Sequence, residues 1–131
     1  MSDVGPLGTP AVKDLDAAHA IASAWRPTLR DVVRCIAQGD YALERGVRGV
    51  APVAMATAEQ MRDYLVEYGA TLVEVPDATW QTSVAQWMGT HWEFLVDLWT
   101  AEEGRSDLVL AGDVIETSAG PLLTLRGLYV P

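Results

Sequence analysis

The side chains able to do acid–base or metal chemistry are few and scattered. There are two histidines, His19 and His91, and one cysteine, Cys35. A structural zinc site needs about four such ligands, so none is expected. His91 is the more reactive candidate, at a turn (Gly89-Thr90-His91) beside Trp92. As a general base it would need a carboxylate to orient it and a pocket to exclude water. The strand acid Asp97, six residues on, is about 20 Å away along one extended strand, so the two cannot pair within it. Asp97 itself interrupts an apolar run, Phe94 to Trp99. A buried, unpaired carboxylate is costly, so it is expected to point outward or to meet Arg126 across a sheet. The turn Glu102-Glu103-Gly104-Arg105-Ser106-Asp107 lacks the alternating oxygen ligands of a calcium loop and reads as a hairpin with solvated charges. Gly46-Val47-Arg48-Gly49 lacks the Gly-Lys-Ser/Thr ending of a phosphate loop, and no G-x-S-x-G or H-E-x-x-H motif occurs. No catalytic residue, metal or cofactor is therefore assigned from the sequence.

Contact chemistry is better represented. Four of the five tryptophans, Trp80, Trp87, Trp92 and Trp99, fall within twenty residues. Tryptophan is enriched at interface hot spots and in ligand pockets, and it also fills cores. The net charge of −9 is carried unevenly: residues 1–50 hold six acids and six bases, whereas residues 51–131 hold twelve acids and three arginines. Such a field repels nucleic-acid phosphates and anionic lipid and attracts basic proteins.

The elements that position these groups follow from pattern. Residues 1–12, rich in Gly and Pro, read as a flexible lead-in, and 13–131 as one α+β domain. Lys13 to Gln38 has helical spacing (Leu15, Ala18, Ala22, Trp25, then Leu29, Val32, Val33, Ile36), with Pro27 in the first turn of a second helix and Gly39 as a stop. Thr57 and Gln60 form a T-x-x-Q capping box, ahead of an apolar stripe of Met61, Tyr64, Leu65 and Tyr68 that Gly69 ends. Five strands are expected after it: Thr71–Val75, Trp80–Trp87, Trp92–Thr100, Asp107–Glu116 and Leu122–Val130, joined by short turns into an antiparallel meander. In the third, Trp92, Phe94, Val96 and Leu98 share one face, and Glu93, Leu95, Asp97 and Trp99 the other. The fold class is thus α+β, with N-terminal helices on one face of a four- to five-stranded meander. No apolar run approaches the roughly 20 residues that span a bilayer. With one cysteine and no basic–apolar start, the cytoplasm is the expected compartment.

This element order, over residues 14–130, resembles the cystatin-like and nuclear-transport-factor-like folds, in which a curved sheet wraps a helix. The block WQTSVAQWMGTHWEFLVDLWTAEEGRSDLVL, residues 80–110, resembles one in small uncharacterised bacterial proteins, some of them similar to immunity proteins of polymorphic toxin systems. That resemblance assigns no residue, but together with the charge asymmetry it points to a non-enzymatic, acidic module docking a basic protein, for which Asp97, Trp99, Glu102, Glu103 and Asp107 are the contact candidates. The alternative is a ligand-binding or enzymatic pocket between sheet and helices, with Tyr64, Tyr68, Trp87, His91 and Trp92 as candidates. Edge strands at Thr71–Val75 or Leu122–Val130 could also pair two copies into a homodimer.

Overall fold

Residues 8–131 are described by the computed structural model. Two helices pack on one face of a six-stranded, mostly antiparallel sheet, an α+β fold. Helix α1 (Arg26–Ala37) carries Pro27 in its first turn, where its missing N–H breaks no helical bond. Leu29, Val32, Val33 and Ile36 form its buried stripe. Helix α2 (Met55–Tyr68) buries Met61 and Leu65 and stops at Gly69, whose positive φ of 80° suits a left-handed C-terminal cap. The stripe expected for α2 is thus present, with Tyr64 and Tyr68 half-buried along its margin.

The strands are β1 (His19–Ala20), β2 (Leu72–Val73), β3 (Val84–Trp87), β4 (Trp92–Thr100), β5 (Gly104–Thr117) and β6 (Gly120–Tyr129). Their order is β1-β3-β4-β5-β6, with β2 pairing the far end of β4, so β3 to β6 form the expected meander. β4 alternates strictly between buried and half-buried positions. Its buried set, Trp92, Phe94, Val96 and Leu98, joins Leu108, Leu110 and Val114 of β5 and Leu123, Leu125 and Leu128 of β6 against the helices. Gly112 faces Phe94 across the β4–β5 ladder, and a Cβ there would come within 2.4 Å of the Phe94 ring and 2.5 Å of the Thr124 carbonyl oxygen. The glycine makes room for the ring.

Four expectations change. Residues 13–22 are not helical: Asp14 accepts from the Asp16 N–H and contacts His19, Leu15 is 63% exposed, and His19–Ala20 pairs with β3. A stripe built largely of alanines buries too little to outweigh the Asp14 turn and that pairing. Trp80 lies in a 3-10 turn, Asp77–Gln81, rather than in a strand, and its buried ring is flanked by the guanidinium groups of Arg26 and Arg30. Thr57 and Gln60 form no capping box, because α2 begins at Met55 with Ala54 in the cap position, three residues before Thr57. Part of the lead-in is tied down. Thr9 exchanges backbone and side-chain bonds with Ser23, and the Val12 carbonyl accepts from Trp92 Nε1 at 2.9 Å. Residues 1–7 of that lead-in lie outside the described residues.

Candidate functional site

The helices leave one face of the sheet uncovered. Strand register puts Val84 and Gln86 of β3, Glu93, Leu95 and Asp97 of β4, and Val109, Ala111 and Asp113 of β5 on it. Val109 and Ala111 are only 4% and 7% exposed, although they stand outside the helix-packed core. A concavity of about 490 Å³ opens there, lined by Val84, Leu95, Ala111 and Tyr129, with Glu93 and Arg126 among its polar walls. No residue of either helix lines it.

At one side of the concavity four charged or titratable groups converge. Glu93 and Asp113 are directly opposed across the β4–β5 ladder. Two like charges at such a pair repel, and Arg126 from β6 relieves this, one of its guanidinium nitrogens (Nη1) lying 3.1 Å from each carboxylate. The two acids hold the arginine's pKa above its ordinary value, the Glu93 hydrogen bond contributing most. His91, at the β3–β4 turn, has Nδ1 2.8 Å from the Thr90 hydroxyl. Its Nε2 lies 3.7 Å from Glu93 and 3.8 Å from Asp113. Among the described residues, His91, Glu93 and Asp113 are the one group spaced to hold a metal ion.

Register explains why this cluster was not legible. Counting back from the β4–β5 turn along an unbroken ladder sets Glu93 opposite Ala111. A bulge between Asp97 and Trp99 shifts the pairing so that Glu93 meets Asp113. Ser106 supports the bulge, its hydroxyl donating to the Leu98 carbonyl at 2.8 Å and accepting from the Leu108 N–H at 3.1 Å. A second register shift, between β5 and β6 at Ala111/Gly112, leaves Arg126 outside the ladder pairs, and its side chain engages Glu93 and Asp113. Asp97 instead accepts from the Thr82 hydroxyl, while its own N–H and C=O are bonded by Ser83 and Thr79.

The other residues singled out from the sequence are dispersed. Glu102 accepts from both the N–H and the hydroxyl of Thr71, at 2.8 and 3.0 Å, and these bonds hold its carboxyl below the ordinary glutamate range. Glu103 accepts from the Tyr68 hydroxyl at 2.8 Å, which raises the tyrosine pKa. Trp99 is half-buried against the core margin, and Asp107 is exposed on β5. Tyr64 uses its hydroxyl to accept the Val130 N–H. Trp92 packs edge-on against both Trp25 and Trp87, with Lys13 above Trp87. None of the five pocket candidates lines the helix-free concavity, though His91 lies beside Glu93, which does.

The arrangement is a concave sheet face, apolar at its floor and acidic on balance at its edge. The chain belongs to the family described as a domain of unknown function (DUF7668), which matches residues 33–131. The match takes in β2 to β6, α2 and the C-terminal end of α1 from Val33, and hence every residue of the site named above. Searches of curated proteins and of solved structures give no significant match. No helix among the described residues is long and apolar enough to cross a membrane.

Proposed function

We propose that this protein is a non-enzymatic binding module whose helix-free sheet face docks a basic protein. The observation that carries the reading is the uncovered face itself: Glu93, Asp97 and Asp113 stand around the half-buried Leu95 and the buried Ala111, with Arg126 offsetting part of their charge. Acidic groups around an apolar floor would steer a basic partner and then let it bury apolar contact. Neutralisation of a basic toxin by an immunity protein of a bacterial cytoplasm is the setting this suggests, resting on the resemblance of residues 80–110. The tryptophans contribute by shaping the scaffold: Trp25, Trp80 and Trp92 are buried.

The test is co-purification from lysate of the source cell at low and high salt, using wild type, Asp97→Lys and Glu67→Lys. The reading expects a stoichiometric basic protein that high salt weakens, that Asp97→Lys loses, and that Glu67→Lys, on α2, retains. Failure to recover such a protein, or equal recovery by both variants, overturns it.

The concavity favours a second reading, a small-molecule site. Its volume of about 490 Å³ falls within the range of ligand pockets. A ligand screen read by thermal shift tests it, with Leu95→Arg expected to abolish any hit by filling the floor. A hit unchanged by Leu95→Arg lies elsewhere and removes this reading.

A further inference from the structure

The group formed by His91, Glu93 and Asp113 has a geometry that charge pairing alone does not use. One ligand atom from each lies within 4.8 Å of the others. The separations from His91 Nε2, 3.7 Å to Glu93 Oε2 and 3.8 Å to Asp113 Oδ1, exceed the N–H···O range of about 2.7–3.2 Å. They lie close to the spacing of two atoms that share one ion at about 2.0–2.2 Å each. The far side of the ring is already held. Nδ1 lies 2.8 Å from the Thr90 hydroxyl, and in the tautomer whose Nδ1–H donates to that oxygen the lone pair of Nε2 is directed toward the two carboxylates. A hydrogen bond on the distal nitrogen is the usual way a protein orients a ligating histidine.

We propose that His91, Glu93 and Asp113 bind a divalent transition ion of the zinc class, and that Arg126 is the resident cation which that ion displaces. An imidazole nitrogen with two carboxylates selects such ions over calcium or magnesium, which prefer all-oxygen shells. Arg126 keeps the opposed carboxylates together by neutralising them, and its side chain is 51% exposed, so it can swing to solvent without opening the core. Three protein ligands leave a coordination position for water or a bound group. Because Glu93 and Arg126 also line the concavity, the ion would sit at its rim.

The experiment is calorimetric titration of the full chain with zinc chloride alone. One saturable site is expected. His91→Gln should weaken it roughly tenfold or more, as loss of a ligand or its support commonly does. Arg126→Gln should tighten it, because the competing cation is gone. His19→Gln should leave it unchanged, although that histidine also has a carboxylate partner, Asp14, at 2.9 Å. A cooperative thermal melt of each variant without zinc excludes misfolding. The proposal is overturned if neither wild type nor Arg126→Gln binds zinc saturably, if His91→Gln binds as wild type does, or if His19→Gln abolishes the signal. A looser site in Arg126→Gln overturns the role given to the arginine.

Discussion

The carboxamide of Gln60 pairs with the backbone of Leu128 as a neighbouring strand would: Oε1 accepts the Leu128 N–H at 3.1 Å and Nε2 donates to the Leu128 carbonyl at 2.7 Å. A helix side chain thereby occupies the outer edge of β6. Nearby, Leu123 bonds to Gly49 and Ala51, and Tyr64 accepts the Val130 N–H. Strand-to-strand dimerisation through this edge would first have to break those bonds. Gly127 belongs to the same device, since a Cβ there would come within 2.7 Å of Gln60 Oε1.

Gln60→Ala should therefore destabilise the protein by about 1–3 kcal/mol, the cost of leaving a backbone donor and acceptor unpaired. Thr57→Ala should cost less than about 0.5 kcal/mol, as an ordinary surface change does. Urea denaturation of both variants checks this. Equal losses would restore the capping-box reading of the two residues.

Gly112→Ala should cost about 1–3 kcal/mol through overpacking. The added methyl meets the Phe94 ring and the Thr124 carbonyl, and the carbonyl, being backbone, cannot rotate away. Phe94→Leu in the same chain should relieve only part of that cost. A double-mutant cycle by thermal melting measures the coupling, and strict additivity would show that the ring is not what Gly112 accommodates.

How much of this was legible follows from what each signal depends on. β4 was readable to the residue, because strict alternation from Trp92 to Thr100 depends only on the strand's own period. α1 from Arg26 onward was readable for the same reason, with Pro27 marking its start. The site was not. Glu93 and Asp113 meet because a bulge supported by Ser106 resets the β4–β5 register, Arg126 joins them from a second shift between β5 and β6, and nothing in a one-dimensional pattern specifies such bulges. Gln60 misled because a T-x-x-Q spacing is local, whereas its actual partner is 68 residues away. Trp80 looked like a strand residue by composition, but Pro76 and Asp77 begin a 3-10 turn that the Thr79 hydroxyl fastens to the Asp97 carbonyl.

Glu102 should affect acid stability more than recognition. Its carboxylate is favoured by the Thr71 N–H first and by the Thr71 hydroxyl as well, so its folded pKa lies below that of the unfolded chain. A depressed carboxyl contributes stability above the unfolded value, about 4.3 for glutamate, and loses that contribution as pH falls through the folded value. Glu102→Gln should flatten the decline in melting temperature below about pH 4.3 while leaving its shape near neutrality unchanged. An NMR titration of Thr71→Val should show the Glu102 carboxyl moving upward. No movement would mean that the Thr71 hydroxyl adds nothing to the backbone bond.

The N-terminal segment gives the clearest test of what lies before the family match. Residues 8–32 precede that match, yet Thr9 is bonded to Ser23 and Arg26, and the Val12 carbonyl takes the Trp92 indole N–H. Lys13 lies 4.8 Å from the Trp87 ring centroid and pairs with Glu116 at 2.8 Å, fastening the segment across the Trp25–Trp92–Trp87 cluster. A chain begun at Lys13 leaves Trp92 Nε1 without its acceptor, a loss of about 1–3 kcal/mol if water cannot replace it. Its tryptophan emission should shift to the red as the cluster gains solvent. A chain begun at Gly8 keeps every one of these contacts and is the reference for both stability and emission. If the chain begun at Lys13 matches it, the segment is only a lead-in and the tryptophan cluster stands without it.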